Sequence, residues 1–281
     1  YSLNMEFPDK PLNTLRIASF DVAKINFGEW VADVNIETVR KLKEKYNDLP
    51  SNLKRRVKGK MNSHISNILE ELYKDVKRVH VGVYNFRDDE NSTVLDIETR
   101  RNLLSHLRKY EMLWDSCDIF VIEQQYFNSF SGGRKKKGKG KGANMDALKI
   151  AEAILIWFMD NYLFKEIVSF GSQFKTQILG APWGLKDGQR KKWAIQKAEE
   201  VLRIRGDFEM VSLYELKKSL FRKRLNSEEK IISFTKDFER SPKDIKELAN
   251  KIVRNKQKLD DFSDAYLQLL AYVFRVLIAC F

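Results

Sequence analysis

Three sets of acidic residues, each placed against an apolar run, constrain this chain more than any other feature. Leu15–Phe20 (LRIASF) is mostly apolar and stops at Asp21, and Asp118–Glu123 (DIFVIE) is a second short run that ends in Glu123. Asp261 and Asp264 open a long apolar segment, Ala265 to Phe281. Short apolar runs read as buried strands, and the terminal segment is long enough for a helix. Positions i and i+3 lie on one helical face, so Asp261 and Asp264 can point together at a site that the two strand ends also reach. Carboxylates crowded in this way repel unless a cation neutralises them. Oxygen donors without His or Cys suit Mg²⁺, with Mn²⁺ as a substitute. Two such ions, about 3.5 to 4 Å apart, would activate a water on one side of a phosphodiester and stabilise the leaving oxygen on the other. The candidate catalytic and metal-ligating residues are therefore Asp21, Glu123, Asp261 and Asp264. Asp260, just before that pair, fits an N-cap.

The pattern between these points is that of an α/β fold. Phe27–Val34 reads as a strand antiparallel to the first, and Val79–Phe86 (VHVGVYNF) alternates like a third. Leu95–Trp114 has apolar residues at helical spacing and leads into Asp118–Glu123, the helix-then-parallel-strand order of a crossover unit. Asp146–Tyr162 is a strongly apolar helix, Glu166–Phe170 the next strand and Asp187–Arg203 another helix. A last helix runs from near Asp260 to about Cys280. One domain over residues 1–281 is expected, with a mixed central sheet flanked by helices. Two basic helical insertions fall at about 37–77 and 205–256. The first carries many Lys and Arg and no sustained apolar run, so it is placed outside the core; in the second, Ser241-Pro242 is a helix start.

Charge points to the partner. Lys+Arg 51 against Asp+Glu 39 gives a formal net charge of +12, which favours a polyanion such as nucleic acid or an acidic membrane surface. Ala265–Phe281 is shorter than a membrane span and carries Arg275, so it reads as a core helix and no membrane is expected. Cys117 and Cys280 are too few for a disulfide framework or a cysteine zinc site, and suit a reducing intracellular compartment. His64, His80 and His106 lack metal-ligand spacing and are expected at the surface or partly packed. Arg134, Lys135, Lys136, Lys137, Lys139 and Lys141 put six cations into eight residues of a glycine-containing loop that can follow a phosphate backbone or lie solvated. Arg190, Lys191 and Lys192 open a helix as a second basic cluster, while Tyr126, Phe127 and Phe130 follow Glu123 and can stack on unpaired bases. Trp157, Phe158 and Tyr162 lie in a helical apolar stripe and are assigned to core or to a dimer interface.

The runs ASFDVAKINFGEW, DIFVIEQQYF and KLDDFSDAYLQLL, in this order and at these separations, resemble the three acidic motifs of the RuvC-type Holliday-junction resolvases. The resemblance is greatest to the branch containing the poxvirus enzymes, their relatives in other large DNA viruses and the fungal mitochondrial resolvases. It implies an RNase H-like fold, a homodimer, Mg²⁺, and paired nicking of four-way DNA junctions in recombination and repair, with the family's four carboxylates falling on Asp21, Glu123, Asp261 and Asp264. The Arg190–Lys192 cluster resembles a basic cluster that contacts the scissile phosphate. The first motif departs from the family pattern, with Ala23 where Gly is usual, and the resemblance covers roughly residues 15–35, 95–203 and 257–281. The compartment stays open between a reducing intracellular space, a viral replication site and, if a targeting segment precedes Tyr1, a mitochondrion. Two alternatives stay open: an RNase H-like transposase or integrase, and a branched-DNA-binding protein without catalysis.

Overall fold

Thr14–Asp21 and Phe27–Asn35 form strands β1 and β2 because each offers both faces an apolar side chain, and both are buried along nearly their whole length. They pair antiparallel, from Thr14 opposite Asn35 to Asp21 opposite Gly28. The computed structural model describes residues 7–23, 25–54, 61–87, 95–125, 145–223, 238–254 and 259–280. Lys77–Tyr84 (β3) adds antiparallel to β2; Ile119–Gln124 (β4) runs parallel to β1, and Glu166–Gly171 (β5) parallel to β4. The described strands make one mixed sheet in the order β3-β2-β1-β4-β5, as the sequence led us to expect of an α/β chain.

Helices cover both faces. On one lie Ile97–Lys109 (α3), Glu111–Ser116 (α4) and Met145–Asn161 (α5), whose Leu103, Leu107, Trp114, Ile154 and Phe158 pack on Phe20, Phe120 and Ile122. The expected single helix over Leu95–Trp114 is broken at Tyr110, whose φ of −101° and ψ of 14° end α3 and start α4. The other face receives Ile36–Asn47 (α1), Ser63–Asp75 (α2), Asp187–Arg205 (α7), Phe208–Lys223 (α8) and Lys243–Val253 (α9). Gln173–Ile178 is the short α6.

Two of these helices correct the expectation that residues 37–77 lie outside the core. Val39, Leu42 and Tyr46 of α1 and Ile65, Ile68, Leu69, Leu72 and Tyr73 of α2 are buried in the larger core. Their i, i+3 and i+4 spacing forms a stripe in each helix, obscured by the cations of α1 and of the segment between the two. The 205–256 segment is likewise anchored, through Met210, Leu213 and Tyr214 of α8 and Ile245, Leu248 and Ile252 of α9.

Leu259–Tyr272 (α10) is buried on every side and lies on the sheet between the other helices, continuing as a π-helical turn over Val273–Ile278. Tyr266 stacks on Trp30 of β2 at 4.3 Å. The Gln268 amide nitrogen reaches Ser19 Oγ, the Phe20 carbonyl and the Val121 carbonyl, each at 3.2 Å, which ties α10 to β1 and β4. At its first turn a Cβ on Gly28 would stand 2.3 Å from the Asp261 carbonyl oxygen. Only glycine allows β2 and the start of α10 to meet this closely. Among the described residues no helix is long and apolar enough to cross a membrane.

Candidate functional site

Side chains alternate across a strand, so Ile17, Ser19 and Asp21 of β1 share one face of the sheet, as do Ile119, Val121 and Glu123 of β4. The parallel register sets Ser19 opposite Val121 and Phe20 opposite Ile122. One step further along, at the carboxyl ends of the two strands, come Asp21 and Glu123. At this spacing the two carboxyls act on each other. The Asp21 carboxyl is pushed well above the usual carboxylate range, first by burial and then by the Glu123 charge.

The start of α10 faces these strand ends, and its sixth residue adds the Asp264 carboxyl, which is also shifted upward by burial. Lys175 of α6 holds the three acids together. Its ammonium lies 2.9 Å from Asp264 Oδ1 and 3.3 Å from Glu123 Oε1, and its charge also acts on Asp21. Burial would lower the Lys175 pKa, but Glu123, Asp264 and Asp21 together raise it, so the ammonium stays charged. Gln125 donates to the other Glu123 oxygen at 2.8 Å.

Lys175 was not singled out in the sequence. It could have been: it is the sole charged residue between Glu166 and Lys186, in an otherwise apolar and neutral stretch.

The remaining site residues fall at the rim or beyond the described chain. Asp261 is buried, with its carbonyl against Gly28, and its charge acts on Lys191. Asp260 corrects its expected role as an N-cap. It lies inside the helix, which starts at Leu259, and accepts from Lys191 Nζ at 2.6 Å. That hydrogen bond is the main reason the Lys191 pKa is raised. Arg190, Lys191 and Lys192 are exposed on the first turns of α7, so one of the two basic clusters adjoins the acids. The Arg134–Lys141 loop and Tyr126, Phe127 and Phe130 lie outside the described residues.

His80 and His106 correct another expectation. Both are buried, and their Nε2 atoms lie 2.8 and 3.0 Å from the two carboxylate oxygens of fully buried Glu29 on β2. Burial alone would raise the Glu29 pKa. The charges and hydrogen bonds of His106 and His80 instead take it down to about 2. Glu29 pairs across the ladder with Phe20, so it belongs to the sheet face opposite the acid cluster.

The donors at the strand ends are carboxylate oxygens, and they already require a buried cation, which is the chemistry of a hard divalent metal site. In this structure Lys175 supplies that charge. Among the described residues no group of three or more His, Cys, Asp or Glu side chains is spaced to grip a metal as it stands.

Two viral proteins are similar to this chain. Uncharacterized protein 170L of Invertebrate iridescent virus 6 is 28% identical over 216 residues, covering 69% of this chain and 78% of that protein. Uncharacterized protein 97L of Invertebrate iridescent virus 3 is 27% identical over 100 residues, covering 36% of this chain and 42% of that protein. The chain thus spans less than half the length of one relative and about three quarters of the other. It matches no protein-family profile and no solved structure.

Proposed function

We propose that this protein is a metal-dependent DNA endonuclease with an RNase H-like core that cuts four-way junctions as a homodimer. The observation that carries this reading is the convergence of Asp21, Glu123 and Asp264 around Lys175. Three of the four acids that the family resemblance singles out come from strands and a helix more than one hundred residues apart in sequence, yet they meet at one end of the sheet. The net charge of +12 and the exposed Arg190–Lys192 cluster beside the acids fit a phosphate backbone as substrate. The viral source of both relatives fits the viral branch of the resolvases.

In this reading Asp21, Glu123 and Asp264, with Asp261 three residues before it on the same helix, would hold Mg²⁺. When bound, the metal supplies a polarised water and neutralises charge on the leaving oxygen. The protein's own groups do the rest. Lys175, which neutralises Glu123 and Asp264, would bring a positive charge to a phosphate that enters among them. Lys191 and its neighbours hold the flanking phosphates, and the strand ends fix the acids rigidly against the sheet. The outer face of α5, where Ile156 and Met159 are 63% and 53% exposed, is the surface proposed to meet a second copy.

The test is a synthetic four-way junction beside a linear duplex of the same sequence, each with and without Mg²⁺. The proposal expects paired nicks in the junction arms, only with Mg²⁺, and an intact duplex. Joining of a cut donor end to a target would make the protein a transposase or integrase. Junction binding with no cleavage would make it a binding protein that lacks the chemistry.

A further inference from the structure

Of the tryptophans, Trp30 and Trp114 are fully buried and Trp157 and Trp193 are half-buried, but Trp183 is 68% exposed. It has no ring contact among the described residues, so its large apolar surface stands in water with nothing to offset the cost.

The loop that carries it is firmly seated. Leu179 and Ala181 are buried, the Leu179 amide donates to the Lys175 carbonyl at 3.1 Å, and the Ala181 amide donates to the Thr176 carbonyl at 2.9 Å. Gly180 and Gly184, at φ of +90° and +75°, make the two bends on either side of Pro182-Trp183. An exposed indole on an anchored, twice-bent loop is held out, which suits a contact made with a partner.

Position says what the partner is. The loop joins α6, which delivers Lys175 to Glu123 and Asp264, to α7, which delivers Lys191 to Asp260. Four chain steps and one helical turn separate Trp183 from Lys191, so their Cα atoms are at most about 20 Å apart. Exposed Lys186, Arg190, Lys191 and Lys192 follow within nine residues. An aromatic face beside cations is the combination that holds unpaired nucleic-acid strands: the cations meet phosphates and the ring takes a base.

We propose that Trp183 is a base-stacking residue that receives an unpaired nucleobase of the DNA substrate next to the cleavage site. This rests on the nuclease reading for the substrate class, but it concerns binding alone. It gives the protein a means to prefer DNA whose bases are unstacked, which charge cannot supply, because every duplex presents the same phosphates.

The test uses the full chain in EDTA, where no cutting occurs, with a fluorescently labelled four-way junction, an oligothymidylate single strand and a fully paired linear duplex. The junction and the single strand should quench tryptophan emission. Trp183→Ala should remove that quench and weaken binding to both by roughly five- to a hundred-fold. Trp183→Phe should restore most of the affinity, and all three proteins should bind the duplex equally. Unchanged junction and single-strand affinity in Trp183→Ala would overturn the proposal. So would an equal loss on the duplex, or a change from dimer to monomer in sedimentation with DNA affinity intact, which would make the indole a protein contact. A protein that binds through Trp183 but never cuts in Mg²⁺ defeats the nuclease reading and leaves this one standing. One that cuts junctions with the same affinity after Trp183→Ala does the reverse.

Discussion

Lys175, with Glu123 and Asp264 both within 3.3 Å of its ammonium, is the residue that lets three carboxyls crowd at the strand ends without a metal. Removing it leaves buried negative charge unpaired. Lys175→Ala should therefore cost about 3 to 5 kcal/mol in urea unfolding with EDTA present. Mg²⁺ should recover much of that loss, because an added cation can take over the neutralisation; a loss that Mg²⁺ leaves untouched would reduce Lys175 to a packing role. Glu29 makes a separate prediction about pH. Its folded value of about 2 lies below the ordinary 4.5, so its contribution is fully present above pH 4.5 and is lost as pH falls towards 2. The amount is on the order of 3 kcal/mol. Unfolding free energies at pH 5 and pH 2.5 should differ more in the wild type than in Glu29→Gln, and equal slopes would contradict the buried Glu29–His network. These residues show where sequence reading stops. Asp21, Glu123 and Asp264 stood out because the first two end an apolar run and the third opens one. Glu29 lies within an alternating strand, and its partners His80 and His106 are 51 and 77 positions away, so no local pattern marks the network.

The start of α10 meets β2 across Gly28, and this contact between elements sets where Asp261 and Asp264 stand. A methyl group at Gly28 would collide with the Asp261 carbonyl, which is backbone within a helix pinned by Gln268 and Tyr266 and has little freedom to yield. Gly28→Ala should cost about 1 to 3 kcal/mol of stability and should reduce catalysis further than that loss alone explains, because the first turn of α10 must shift. A stable Gly28→Ala variant with full activity would show that the site does not depend on this contact. Most elements were legible in sequence, for physical reasons. Strands β1, β2 and β4 are short and buried along most of their length, and α5 is apolar along most of its own. Helices α1 and α2 were harder to assign to the core because charged residues outnumber apolar ones in α1 and nearly match them in α2, and side-chain spacing does not tell which face a neighbour will cover. The break at Tyr110 and the π-helical turn after Tyr272 depend on tertiary packing and leave no clear mark in the sequence.

At the scale of the whole molecule, the described residues of one chain hold one acid cluster at the strand ends, while a four-way junction offers two strands related by approximate two-fold symmetry. A C₂ dimer would set two identical sites against them. Mixing wild-type chains with Glu123→Gln chains should yield heterodimers that nick one strand and leave the junction unresolved; paired cuts by the mixed species, or a monomer on bound junction in sedimentation, would remove the dimer from the account. The sheet and its helical layers could be read from periodicity and the acids from the runs they border, but which side chain of a fourth element comes among those acids is a product of topology. The central claim, that this meeting point cuts DNA, is tested most directly by measuring junction binding and Mg²⁺-dependent cleavage side by side for Asp21→Asn, Glu123→Gln, Asp261→Asn and Asp264→Asn. Each change removes a charge and almost no volume, so the account predicts that all four bind the junction at least as tightly as the wild type and that none cuts it. Near wild-type cleavage by two or more of the four would contradict it.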